Sequence, residues 1–127
     1  MSYTFSKTLD CDFDTAIERA TAALKDAGFG VLTEIDVKTT LKKKIDVDFR
    51  PYRILGACNP GFAHKALQAE PEIGTMLPCN VIVQEIDGGI RVLAIDPMAS
   101  MQAVENPELG EVATQVQSLL RGVIEAL

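Results

Sequence analysis

Two cysteine–asparagine pairs, Cys58-Asn59 and Cys79-Asn80, have the widest chemical reach in this chain, because a thiolate is both a nucleophile and a ligand for soft metals. Cys58 stands directly before Asn59-Pro60. That dipeptide is a helix-start signal: Asn accepts a hydrogen bond from the free backbone donors of a first turn, and Pro needs no donor at the first helical position. Cys58 therefore sits just outside the positive end of a helix, where a thiolate is favoured over a thiol. Cys79 opens the most β-like stretch of the chain, so the two pairs flank the helix and loop between Asn59 and Pro78. If the strands ending at Cys58 and starting at Cys79 are adjacent and antiparallel, both sulfurs reach one sheet edge; if they are parallel, the sulfurs lie at opposite ends. The competing reading is packing, since free cysteine is among the most buried residue types. Cys11 has a similar place outside the first helix, but nothing reactive adjoins it.

Around the thiols the supporting chemistry is sparse. His64, the single histidine, lies one turn into the Asn59-capped helix, and reaching Cys58 would need that turn to fold back. As a soft-metal set, Cys58, Cys79 and His64 with a thioether from Met98 or Met101 have suitable donor types, although the spacing is not that of a zinc finger. The plain reading of both methionines is gap-filling in the core. Glu85 alternates with Val83 and Val81, so on the core face it needs a partner such as Arg91 or Arg53; a solvent-exposed strand end is the preferred alternative. Asp96 has a sufficient role as a helix cap. The ligand or thiol site is thus drawn from Cys58, Asn59, Cys79, Asn80, Glu85, Asp96 and Met98, and the metal set from Cys58, Cys79 and His64. No acid–base pair of carboxylates can be assigned. No glycine-rich phosphate loop and no Gly-x-Ser-x-Gly elbow occurs, so no nucleotide is expected.

The elements that must position these residues follow from periodicity. Tyr3 to Leu9 alternates as a half-buried strand. Asp12 caps a helix with Phe13, Ile17, Ala20, Leu24 and Ala27 on one face, stopped by Gly28. Val31 to Ile35 is a strand, and Asp36 caps a short helix with Val37, Leu41 and Ile45 inward and Lys42, Lys43 and Lys44 at its C-terminal end, where they complement the dipole. Arg53 to Cys58 is a strand. The helix after Asn59 has an inward stripe of Phe62, Ala63, Ala66 and Leu67 and ends at Glu70-Pro71. Asn80 to Ile86, Asp87-Gly88-Gly89 and Ile90 to Ile95 form a hairpin. Asp96-Pro97 starts a helical turn. Asn106-Pro107 starts a last helix whose stripe is Leu109, Val112, Val116, Leu119, Leu120, Val123 and Leu127. The expected architecture is α+β in two layers, a mostly antiparallel sheet against helices in the order β-α-β-α-β-α-β-β-α.

Composition sets the outer bounds. The 127 residues are 47% hydrophobic and carry 12 Lys and Arg against 18 Asp and Glu, a formal charge of -6. One domain spanning 1–127 is expected from that length. An acidic chain with 6% aromatic residues lacks the electrostatic attraction and the stacking surface for nucleic acid, and lacks the cationic face for anionic lipid. No apolar run suits a signal peptide or membrane span. Three cysteines suit a reducing compartment, so a cytoplasmic location is expected.

Four motifs occur in a specific order: Thr33-Glu34-Ile35-Asp36-Val37-Lys38; Tyr52-Arg53-Ile54-Leu55-Gly56-Ala57-Cys58-Asn59-Pro60; Leu77-Pro78-Cys79-Asn80-Val81-Ile82-Val83; and Asp96-Pro97-Met98. With them the chain resembles domain-of-unknown-function family 302 from about Tyr3 to Leu127. The resemblance implies a compact two-layer α+β domain similar to the TATA-binding-protein topology, a homodimer, and a bacterial cytoplasmic setting; it implies no activity. It supports Asn59-Pro60, Leu77-Pro78 and Asp96-Pro97 as structural corners. Many relatives have His after the Asp of Glu-Ile-Asp and Gly before Asn-Pro, where this chain has Val37 and Cys58. That departure argues against a family-wide histidine metal site and makes Cys58 a feature of a subset.

Two function classes result. In the first, Cys58 and Cys79 at the mouth of a sheet edge hold a small ligand, a soft metal ion or each other as a redox pair. In the second, the chain is a non-catalytic homodimeric interaction domain whose cysteines only pack. The first is preferred, and a hydrolase or transferase using Glu85 and Asp96 ranks below both.

Overall fold

Cap chemistry sets the helix starts in the computed structural model, which describes residues 2–127. Asp12 Oδ1 accepts from the Thr15 N–H at 2.7 Å and starts α1 (Phe13–Asp26); Asp36 Oδ1 accepts from the Thr39 N–H at 3.0 Å and starts α2 (Val37–Ile45). Asn59, Asp96 and Asn106, each followed by proline, cap α3 (Pro60–Ala69), α4 (Pro97–Ser100) and α5 (Pro107–Glu125). A 3₁₀ helix over Pro71–Met76 continues from α3 into the next strand.

The strands β1 (Thr4–Leu9), β2 (Gly30–Asp36), β3 (Tyr52–Cys58), β4 (Cys79–Ile86) and β5 (Gly89–Ile95) form one sheet in the order β1-β5-β4-β3-β2, with every pairing antiparallel. The α+β class and the element order agree with the expectation from sequence. Alternation sends Leu9, Leu55, Ala57, Val81, Val83, Ile90, Val92 and Ala94 to one face, where α1 adds Ala16, Ala20 and Leu24, and α5 adds Val116, Leu120, Val123 and Ile124. A second small cluster of Ala66, Ile73 and Leu109 joins α3, the 3₁₀ helix and α5.

Two local expectations are corrected, and one strand irregularity is added. Ile45 is 63% exposed and no residue of α2 is buried, because this short helix packs mainly on β2 and β3 at the sheet edge. Leu67 is half-exposed, since α3 buries Ala66 rather than the next position. Strand β2 carries a bulge between Val31 and Thr33, which turns the extra residue, Leu32, out to solvent.

The opposite face of the sheet presents a different row. Ile35, Ile54, Ile82 and Leu93 are successive cross-strand partners from β2 to β5, and none of them packs against either buried cluster. Polar residues flank the row: Tyr52, Gln84 and Arg91 on one side, Thr33 and Asn80, with Gly56 between them, on the other.

Candidate functional site

Strands β3 and β4 run antiparallel with Ala57 opposite Cys79, so the end of one and the start of the other bring Cys58 and Cys79 to the same sheet end. Both line one apolar cavity of about 40 Å³. Its walls come from across the fold: Phe29 after α1, Phe62 and Ala66 of α3, Leu77 before β4, Met101 after α4, and Val112 and Val116 of α5.

Local folding explains how each thiol arrives. Asn59 Oδ1 accepts from the Phe62 N–H at 3.3 Å, closing the first turn of α3 immediately after Cys58. Gly28 ends α1 with a φ of 89°, and a Cβ there would meet Asn59 Nδ2 at 3.1 Å. The loop that delivers Phe29 to the wall is therefore seated against the same asparagine. One residue inside β3, Gly56 is buried beneath Thr33 and Pro78; a Cβ would meet the Thr33 hydroxyl and lie 2.8 Å from Pro78 Cγ. A side chain at that position would displace Pro78, the residue that introduces Cys79.

The two thiols are half-buried and free. Burial pushes the Cys79 thiol from 9.0 up to about 11, and the nearby Cys58 adds to the effect. At neutral pH Cys79 is therefore a protonated thiol in apolar surroundings, not an activated nucleophile.

The other residues singled out from sequence are elsewhere. Asn80 is exposed on the opposite sheet face, next along the strand from Cys79. Glu85 is exposed at the far end of β4, and the cations considered as its partners are engaged elsewhere: Arg53 with Glu34 at 2.9 Å and Asp36 at 3.5 Å, Arg91 with the Ser6 hydroxyl at 3.2 Å. Asp96 is occupied structurally. Its carboxylate accepts from the Met98 N–H at 2.9 Å and from Gln117 Nε2 at 3.0 and 3.2 Å. Met98 is 37% exposed, with its sulfur accepting from the Thr114 hydroxyl at 3.5 Å, while Met101 is on the cavity wall. His64 is exposed and off the wall. Among the described residues no three His, Cys, Asp or Glu side chains form a metal-binding group, and no helix is long and apolar enough to cross a membrane.

The wall residues Phe29, Leu77, Val112 and Val116 were not part of the sequence-derived site. Val112 and Val116 show in sequence only as part of a helical stripe, and their meeting with Cys58 and Cys79 is a long-range consequence of the fold.

Comparison with known proteins places this geometry in a family. Residues 5–127 match the family described as Domain of unknown function DUF302. The fold is similar to the crystal structure of an uncharacterized conserved DUF302 protein from Bacillus stearothermophilus, with a TM-score of 0.91, 28% sequence identity and 98% of each chain covered. Among curated proteins none matches the chain. A match over nearly the whole chain, joined to a common fold, makes this protein a member of the DUF302 family.

Proposed function

We propose that this protein is a small-ligand binding module whose site is the apolar cavity at the β3–β4 end and whose recognition groups are the Cys58 and Cys79 thiols. The observation that carries this reading is the shared lining: Cys58 and Cys79, from separate strands, both border one apolar cavity, and Cys58 is near enough to influence the Cys79 thiol. A catalytic thiolate fits poorly, because burial holds the Cys79 proton in place. A pair of thiols suits reversible capture of a thiophilic species.

Arsenite tests the reading, because its capture needs two neighbouring thiols. The arsenic forms two As–S bonds, and two As–OH groups leave as water with the two thiol protons. Native mass spectrometry of the reduced protein is expected to show one arsenic per chain, retained in Cys11→Ser and lost in both Cys58→Ser and Cys79→Ser. Uptake that survives either single substitution, or that begins only on unfolding, would overturn the reading.

A second reading, a homodimeric interaction domain, is supported by the Ile35–Ile54–Ile82–Leu93 row. An apolar centre with a polar rim is the anatomy of a protein interface. Five strands spaced about 4.8 Å apart and running about 20 Å give a face of roughly 500 Å² per copy, so two faces together reach the roughly 1,000 Å² that a specific contact needs. The occupant is a second copy of the chain, joined face to face. Sedimentation should show a dimer that Ile82→Lys converts to a folded monomer; a monomeric wild type, or a dimer indifferent to the substitution, would remove this reading.

A further inference from the structure

The cavity offers a third sulfur. Met101 is on the same wall as Cys58 and Cys79, whereas Met98, its neighbour in α4, is outside with its sulfur engaged by Thr114. We propose, resting on the small-ligand reading above, that the cavity is a site for a single soft monovalent cation, Cu(I), held by the Cys58 and Cys79 sulfurs with the Met101 thioether as third ligand.

Donor type, number and space each narrow the choice. Hard cations such as Ca²⁺ and Mg²⁺ need six or more oxygen ligands, and the lining is almost entirely apolar. Structural Zn²⁺ takes four ligands, drawn from Cys, His and carboxylate. Among the described residues no group of even three such side chains exists, and His64 is exposed away from the wall. Two thiolates and a thioether are the soft set that selects Cu(I). The cavity has room for an ion, and a water molecule there would find few of the two to four polar partners it requires. Phe29, Phe62 and Val116 surround the site with hydrocarbon, which disfavours hydrated hard cations there.

Charge and protons balance without an added reactant. Binding converts two thiols to thiolates, forms two Cu–thiolate bonds and one Cu–thioether bond to Met101, and releases two protons, leaving a complex of charge −1. Metal coordination supplies the driving force that deprotonates a buried thiol. The N-terminus of α3, directly after Cys58, places the positive end of the helix dipole beside that negative complex.

The test is anaerobic titration of the reduced protein with Cu(I) against a chromogenic Cu(I) chelator, from pH 6 to 8. The expected result is one Cu(I) per chain, with apparent affinity rising about 100-fold per pH unit because two protons leave. Met101→Leu should weaken Cu(I) binding about tenfold and arsenite uptake by much less, since arsenite needs only the two thiols; Met98→Leu should change neither. Zn(II) should not displace the copper. Arsenite uptake without Cu(I) binding, with Cu(I) binding indifferent to Met101, or with Zn(II) bound in preference would overturn the copper assignment and leave the dithiol reading standing. Loss of both ligands would overturn both.

Discussion

Raising the pH above 9 should destabilise the reduced, metal-free protein through Cys79. Burial raises this thiol from 9.0 to about 11, so the folded chain holds the proton more tightly than the unfolded one. Below pH 9 both states are protonated and the stability is present in full. Between pH 9 and 11 the unfolded state ionises first and the stability is progressively lost; above 11 both states are ionised and the loss is complete. At about 1.4 kcal/mol per pH unit the full loss is about 3 kcal/mol. That is a large share of the roughly 5–15 kcal/mol that holds a domain folded. Urea unfolding at pH 8, 9, 10 and 11 with a reductant present, on wild type and Cys79→Ala, isolates the effect because lysines and tyrosines titrate in both proteins. The wild type should lose about 2 kcal/mol more than the variant over that range. Cys58→Ala should narrow the window without abolishing it, since burial is the larger cause and Cys58 the smaller. Parallel losses in wild type and Cys79→Ala would refute the placement of this thiol in an apolar cavity.

Three further outcomes concern the scaffold. Leu120→Ala, at a fully buried position between α5 and the sheet, should cost about 2–5 kcal/mol by urea melt, and a loss under 1 would contradict that packing. Asp36→Ala removes the acceptor for the Thr39 N–H and should cost about 1 kcal/mol. The same bond holds the Asp36 carboxyl below 3.8, ahead of the weaker pull of Arg53; its contribution is present above the ordinary carboxylate range and fades as pH falls through the lowered value, so wild type and Asp36→Ala should converge in acid melts. Gly56→Ala sets a Cβ against the Thr33 hydroxyl and Pro78 and should destabilise by about 1–3 kcal/mol, with Thr33→Ala in the same chain recovering part of the loss; an unchanged melt would show that the strand end shifts freely.

Much of this fold is legible because each element carries local signals. Asp12, Asp36, Asn59, Asp96 and Asn106 are caps whose chemistry acts within three residues, and Asp87-Gly88 marks a hairpin turn on its own. Legibility fails where burial depends on a distant partner. Ile45 and Leu67 fit their helical stripes and are nevertheless exposed, because the elements beside those turns cover them only in part. The site shows the same division. Cys58 and Cys79 stand out by residue type and by their position at strand ends. Whether they converge turns on the β3–β4 pairing, a topological fact that no local pattern contains. The choice between Met98 and Met101 is decided by which side of α4 meets α5, again a tertiary matter. The apolar row on the second sheet face was readable from alternation in four separate strands, but only their order shows that Ile35, Ile54, Ile82 and Leu93 are neighbours.

The central claim is that Cys58 and Cys79 form one site inside one cavity. Anomalous diffraction from crystals of the reduced protein soaked in arsenite tests it most directly, since the arsenic reports its own position. The account predicts a single arsenic peak per chain, bonded to both Sγ atoms and enclosed by Phe62 and Met101. Arsenic bonded to only one of these sulfurs, or found at Cys11 or on the protein surface instead, would contradict it.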